Sequence, residues 1–488
     1  MVANRREDAL RRLELVETDE LAPDDAVRPD PSYGRRATPG ERHLPVEPSA
    51  GGGPPSARRR VVTAVVAVAL VAAVFVASSL WQSRAGRLAL LDAHGGVASL
   101  ATPPVGQWTT STTGLDAWAL GDALVVVESD TVVGLDPSDG EARWSADLGG
   151  PPRCGPSPED LSSAPLDALV CLTGPEDDPR AWVLSADGTV ASRTDLGDGL
   201  GRAIAVPDGH VVRWQRTGGV LEVAVQDATD ASVRWRSTVA PDDLARTDLC
   251  RPQVSAYATA RVEHGLIVLR GCRLSAVFTL DGARVDDRGE PVTSQVLGSR
   301  AGTFLRTTSG SATGAVQITE LVRTDGTVER IVPGRPLVPL ASDGTADPTR
   351  LLLVPSGVQA VDLSGNERWT LSGTVSQVVV VADGTAALDL GYVVLGVDLA
   401  SGREVWSWER ESLGTTDQIV GAFTDGFVAA LVITSLDGSG GARVVALDLE
   451  RGDVVWDEEY PLGAAGFRAV GGRLVHLDPA LGQLVVHE

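Results

Sequence analysis

From about residue 88 to the carboxyl terminus, short apolar runs alternate with polar, turn-rich stretches, and almost nothing keeps the three-to-four spacing of a helix face. Within this pattern one motif recurs: an apolar run ends at an Asp, a Gly follows four residues on, and a Trp four further. Asp136, Gly140 and Trp144 make it in VVGLDPSDGEARW, Asp398, Gly402 and Trp406 in VLGVDLASGREVW, and Asp448, Gly452 and Trp456 in VVALDLERGDVVW. Asp362, Gly365 and Trp369 repeat it one residue shorter in VQAVDLSGNERW, and Asp227 and Trp235 keep the spacing with Ala231 in the Gly position. Copies without Trp lie at Asp187-Gly188, Asp281-Gly282 and Asp325-Gly326.

The motif predicts a hairpin. A buried strand ends at the Asp, whose carboxylate accepts backbone N–H groups of the turn. The Gly supplies a positive φ, and the next strand carries a Trp suited to packing between neighbouring sheets. Each copy follows two further strand-like runs, such as 123–128, 265–270, 351–355 and 427–434. The unit is therefore four strands in about 45 residues, and such repeats close radially into a β-propeller. Eight Asp turns between Asp136 and Asp448, with a partial unit over 467–470, 473–478 and 483–487 and an amino-terminal fragment over 87–100, predict eight blades, with seven or nine as the alternatives and one blade completed by both chain ends.

The Asp-x-x-x-Gly-x-x-x-Trp hairpin resembles the tryptophan-docking repeat of the quinoprotein-type, PQQ-like propellers, over about 400 residues from Leu88 to Glu488. The resemblance implies an all-β, PQQ-like propeller of four-stranded blades. That family holds quinone-dependent dehydrogenases and non-catalytic scaffolds, among them the propeller lipoprotein of the outer-membrane barrel-assembly machine. Its catalytic members carry adjacent cysteines over the cofactor and carboxylate and amide ligands to Ca²⁺. This chain has no adjacent cysteines, and its Asn residues are Asn4 and Asn366 alone. The resemblance therefore points to the non-catalytic branch, with no cofactor and no metal.

Ahead of the repeats, residues 61–80 read VVTAVVAVALVAAVFVASSL, without a charge. At 1.5 Å per residue such a helix spans about 30 Å, a bilayer core. Arg58, Arg59 and Arg60 abut its start and Trp81 its end, which predicts a single uncleaved span with the amino terminus in the cytoplasm. Residues 1–57 form a tail rich in Pro and Gly and predicted disordered. Leu10, Leu13 and Val16, among Arg5, Arg6, Arg11 and Arg12, give 4–17 a short helical pattern, read either as a docking helix or as a frayed turn. The domains are thus 1–57, 61–80 and an extracytoplasmic propeller over 88–488.

Charge sharpens the division. The chain carries 42 basic residues, all Arg, against 65 acidic, for a net charge of −23. Residues 1–60 hold eleven of each, so the whole excess lies beyond the span, and nucleic acid is excluded as a partner by repulsion. Cys154 and Cys171, and two blades later Cys250 and Cys272, occupy corresponding positions. Equal placement in an oxidising compartment predicts the disulfides Cys154–Cys171 and Cys250–Cys272. His43, His94, His210, His264, His476 and His487 show no metal-ligand spacing, and Gly197, Gly199 and Gly201 precede a strand rather than a phosphate-binding helix. Function is accordingly expected to be a membrane-anchored scaffold binding an envelope protein or a small ligand. The alternatives are a sensor signalling to the tail or a quinone-dependent dehydrogenase.

Overall fold

The computed structural model describes residues 86–487 apart from 157–163, 240–257, 272–273, 286–294, 299–302, 310–316, 324–326, 345–350, 411–416, 436–440, 461–465 and a few single or paired turn positions. The predicted span at 61–80, the tail with its helical pattern, and both Cys250 and Cys272 lie outside the described residues. Among the described residues no helix is long and apolar enough to cross a membrane.

The turns at Asp136, Asp187, Asp227, Asp362, Asp398 and Asp448 join the third and fourth strands of antiparallel sheets, and nine sheets are present among the described residues, not eight. Blade 1 is Ala117–Leu120, Ala123–Glu128, Thr131–Leu135 and Ala142–Asp147; blade 2 is Arg153–Gly155, Ala168–Thr173, Arg180–Ser185 and Val190–Asp195. Blade 3 is Arg202–Val206, His210–Thr217, Val220–Asp227 and Val233–Val239, and blade 4 shows Ala258–Glu263, Leu266–Gly271 and Leu274–Thr279. Blade 5 is Gln295–Gly298, Thr303–Ser309, Gln317–Arg323 and Val328–Pro333, and blade 6 is Arg335–Pro336, Leu351–Val354, Gly357–Val361 and Glu367–Ser372. Blade 7 is Gln377–Ala382, Thr385–Asp389, Val393–Asp398 and Glu404–Glu409, with Ala341–Ser342 added in parallel on its first strand. Blade 8 is Asp417–Thr424, Val428–Ser435, Ala442–Asp448 and Val454–Tyr460.

Blade 9 explains the miscount. Its first three strands, Phe467–Val470, Arg473–Asp478 and Gln483–His487, come from the carboxyl terminus, and its fourth, Gly106–Ser111, from the amino-terminal side. The third and fourth strands belong to opposite ends of the chain, so no Asp turn connects them. Counting turns therefore gives one blade too few. The amino-terminal fragment of that blade is also corrected: it is Gly106–Ser111 and not 87–100, and residues 86–92 are helical. The following strap instead hydrogen-bonds across the blade ends, Val97 N to Thr424 O at 2.9 Å and Ala98 N to Gly472 O at 2.7 Å.

The core is distributed between blades rather than gathered at one centre. Nine apolar clusters are present among the described residues, each bridging two consecutive sheets. Leu135, Val126 and Ala117 of blade 1 pack on Val475, Leu484 and Val486 of blade 9, so the ring is closed and no sheet ends in an open apolar face. First strands converge: those of blades 2 and 3, 3 and 4, 7 and 8, and 9 and 1 approach one another. Fourth strands form the rim, with alternating exposed positions.

Candidate functional site

The repeat residues form a lock between blades. In the fourth strand an extra residue bulges out immediately before the docking position, because Gly134 faces Trp144 while Leu135 faces Ala142. The same irregularity precedes Trp235, Trp369, Trp406 and Trp456. A bulge twists the strand locally and re-aims the side chain that follows it. Trp144, Trp235, Trp369 and Trp406 thereby reach the Asp turn of the next blade. The indole N–H of Trp369 donates to Leu399 O at 2.9 Å, that of Trp406 to Leu449 O at 2.7 Å, and that of Trp235 to Leu280 O at 2.9 Å. Trp144 lies against Gly188 of blade 2, and its indole N–H has no hydrogen-bond partner among the described residues.

The Asp and Gly shape the surface that receives the ring. Asp136 accepts the Ser138 N–H at 2.8 Å and its hydroxyl at 2.6 Å, and Asp398 accepts both groups of Ser401. Asp362 accepts the Ser364 N–H and the Asn366 amide, and Asp448 the N–H groups of Glu450 and Arg451. The Ser138 hydroxyl and N–H, with the Arg143 guanidinium, hold Asp136 well below the usual carboxylate range. Gly140, Gly365, Gly402 and Gly452 all have φ of 74–76°. A Cβ on Gly402 would stand 2.6 Å from the Trp369 ring, so the turn must be bare where the ring stacks.

Sequence reading missed three docking positions. Trp108 of blade 9 follows a bulge at Gln107 and donates to Pro137 O of blade 1 at 3.1 Å. Arg330 holds the position in blade 5; its guanidinium donates to Ser364 O and to Asn366 Oδ1, both at 2.7 Å, on the turn of blade 6. In blade 2 the position is Ser192, and the facing turn of blade 3 carries Ala231 in place of Gly, with φ of 60°. The glycine is lost with the ring at this junction, whereas Gly365 is kept where Arg330 replaces the ring, its Cβ position 2.8 Å from the Arg330 side chain. At the last junction Trp456 donates to Leu100 O at 2.7 Å, the strap standing in for the turn that blade 9 lacks.

Cys154 and Cys171 sit opposite one another on the first two strands of blade 2 and are joined by a disulfide. The pairing staples the short first strand Arg153–Gly155 to its neighbour. Trp406 is buried in the junction with blade 8, and Trp408, two residues on, is only partly buried against the same cluster.

At the seam of blades 9 and 1 lies a cleft of about 390 Å³. The turns at Gly121-Asp122, Asp136–Ser138 and Gly471–Arg473 form its walls, with Leu124 and Val475 among its apolar lining. Arg143 crosses it, paired with Asp122 at 2.6 Å and Asp136 at 2.7 Å. Arg143 thus engages both carboxylates of the cleft, Asp122 and Asp136, while Arg473 lines the facing wall. A second cluster supports blade 9 from within: Phe467, Tyr460, His476 and His487 stack at ring distances of 5.1–6.4 Å. The Tyr460 hydroxyl donates to Pro104 O at 3.0 Å, and burial pushes its pKa up to about 12.

Residues 335–485, which contain three of the Asp-Gly-Trp copies, match the family model described as outer membrane protein assembly factor BamB. No curated protein sequence matches the chain. Among solved structures, BamB from Moraxella catarrhalis aligns at a TM-score of 0.34 and 12% identity, covering 79% of this chain and all of that one. A quinohemoprotein alcohol dehydrogenase from Comamonas testosteroni aligns at a TM-score of 0.36 and 13% identity, over 80% of this chain and 77% of that one. Over residues 335–485 the chain is thus similar to the BamB family, and its fold is the PQQ-like β-propeller in nine blades.

Proposed function

We propose that this chain is a single-pass membrane protein whose extracytoplasmic propeller is a scaffold that holds a protein partner of the cell envelope. The observation that carries the reading is the match of residues 335–485 to an assembly-factor family. The chain acts by binding, not by catalysis, and takes no cofactor. The apolar segment 61–80 behind Arg58, Arg59 and Arg60 supplies the anchor, with the amino-terminal tail in the cytoplasm. A chain with no Lys at all belongs with proteins of GC-rich, actinobacterial type.

A ring built from nine interlocked sheets suits this role. Its framework is fixed by backbone pairing and Trp docking, which leaves turns and loops free to vary in sequence. The test is crosslinking in intact cells followed by purification of the anchored protein and mass spectrometry. A recurrent envelope protein, lost when residues 86–488 are deleted, is the expected result. An anchored protein that captures nothing above an unrelated single-span control would overturn the reading.

A further inference from the structure

The cleft at the seam of blades 9 and 1 carries a charge pattern that the repeat does not need. In blades 1 to 8 the second strand opens on Ala, Ala, His, Leu, Thr, Leu, Thr and Val, and in blade 9 it opens on Arg473. Val475 and Leu477 of that strand pack on blade 1, and the period of two turns Arg473 to the same side. Arg473 lines the cleft, half-buried, and its guanidinium makes no hydrogen bond or ion pair among the described residues.

The facing wall is built differently. Asp122, Asp136 and Arg143 of blade 1 stand there, two carboxylates against one guanidinium. Arg143 meets Asp136 through Nη2 at 2.7 Å and Asp122 Oδ2 through Nη1 at 2.6 Å. Asp136 is satisfied further by the N–H and hydroxyl of Ser138. Asp122 lacks such support: its side chain is 83% exposed, and its Oδ1 accepts no hydrogen bond among the described residues. The blade 1 wall therefore keeps one surplus negative charge, open at Asp122, and the blade 9 wall one unmatched positive charge at Arg473. Pro137, Pro165 and Val470 add apolar surface to the same cleft.

We infer that this cleft binds a small zwitterion of the amino-acid class with an apolar side chain, its carboxylate on Arg473 and its ammonium on Asp122. A planar guanidinium fork matches a carboxylate, and a cleft of 390 Å³ lies within the roughly 300–1,000 Å³ of small-molecule sites. The two walls sort ligands by charge. A simple carboxylate gains Arg473 but faces the surplus carboxylate opposite, and a simple amine meets the reverse. A zwitterion satisfies both walls. A polyanion or a polycation leaves most of its charge unmatched, because the four charged side chains of the cleft sum to zero. The inference goes beyond the scaffold reading and needs no protein partner.

The experiment is equilibrium dialysis of full-length protein in detergent against radiolabelled L-leucine and L-leucyl-L-leucine. The analogues 4-methylpentanoate and isoamylamine, each lacking one of the two charges, are run beside them. At least one zwitterion should bind about tenfold more tightly than either analogue, the loss expected when one charged hydrogen bond is missing. Arg473→Gln and Asp122→Asn should each weaken that zwitterion about tenfold, with unchanged circular dichroism. Arg473→Lys, which keeps the charge without the fork, should fall between parent and Arg473→Gln. Asp122→Asn should also erase the preference over 4-methylpentanoate, and Arg473→Gln the preference over isoamylamine; a purely structural role moves neither. Arg368→Gln, at an exposed position of blade 6, should bind as the parent does. No binding of either zwitterion at millimolar concentration, an analogue bound as tightly as both, retained binding in either Gln or Asn variant, or an equal loss in Arg368→Gln would each overturn the proposal. Its failure leaves the scaffold reading untouched, since that reading rests on partner capture in cells.

Discussion

Gly402 and Gly384 share a left-handed backbone, at φ of 74° and 72°, and differ in what faces them. A Cβ on Gly384 meets nothing within 4 Å, while one on Gly402 meets the Trp369 ring. Gly384→Ala should therefore cost about 1–2 kcal/mol, the penalty of a left-handed L-residue. Gly402→Ala should cost roughly 1–3 kcal/mol more through the forced shift of the ring. Urea denaturation of the two variants checks this, and equal losses would mean that the glycine serves the turn alone. His487 makes a second residue-scale prediction. Burial is the main cause holding its pKa down at about 4; nearby His476 adds to the effect, and the Pro104 carbonyl partly offsets it. A depressed histidine favours the neutral form when folded, so its contribution is full above pH 6.5 and falls away as pH drops through 4. The loss should approach roughly 3 kcal/mol at the acid end. His487→Phe should flatten the melting temperature between pH 6.5 and 4.5 relative to the parent; an unchanged slope would place the titration elsewhere.

At the scale of elements, the hairpin was readable because one short stretch of sequence holds the strand end, the capping Asp, the bare Gly and the ring. What escaped reading was every lock whose halves lie far apart or whose chemistry is substituted. Trp108 has no turn ahead of it in sequence, since its strand pairs with residues at the other end of the chain. Arg330 reaches the same turn carbonyls by charge and length instead of by an indole N–H. Ser192 and Ala231 sit on different blades, and only their common junction shows that both halves of one lock are gone. That pair can be rebuilt. Ser192→Trp alone should bring a ring against the Ala231 Cβ, and Ala231→Gly alone should remove packing and gain nothing. Together they should recover a stabilising coupling of about 1–3 kcal/mol in a double-mutant cycle. Additive effects would show that blades 2 and 3 have settled into a different junction. The first strands of blades 2 and 6 were likewise unreadable, because Arg153–Gly155 and Arg335–Pro336 are too short to register as periodic strands.

For the whole molecule, the fold class followed from periodicity and the repeat, whereas the number of blades required the topology. Propeller stability rests on closure, since each sheet buries its faces on two neighbours and blade 9 is the one assembled from both chain ends. Truncation after Gly482 removes the strand Gln483–His487, which pairs with both Gly106–Ser111 and Arg473–Asp478. The truncated protein should expose unpaired edges and elute as oligomers in size-exclusion chromatography, where the intact chain elutes as a single species. A monodisperse truncated form of unchanged melting temperature would show that eight blades hold without the ninth.

Closure also sets an order of events in time. Gly106 pairs with His487, so a strand made early must wait for almost the whole remaining chain before its partner exists. Contacts this distant in sequence are slow to form, and an edge left waiting is prone to pair with the wrong neighbour. A chain clipped before Gln483 has no way to shut. The two-ended blade therefore works as a clasp: only a molecule that holds Gly106–Ser111 and Gln483–His487 together conceals both edges.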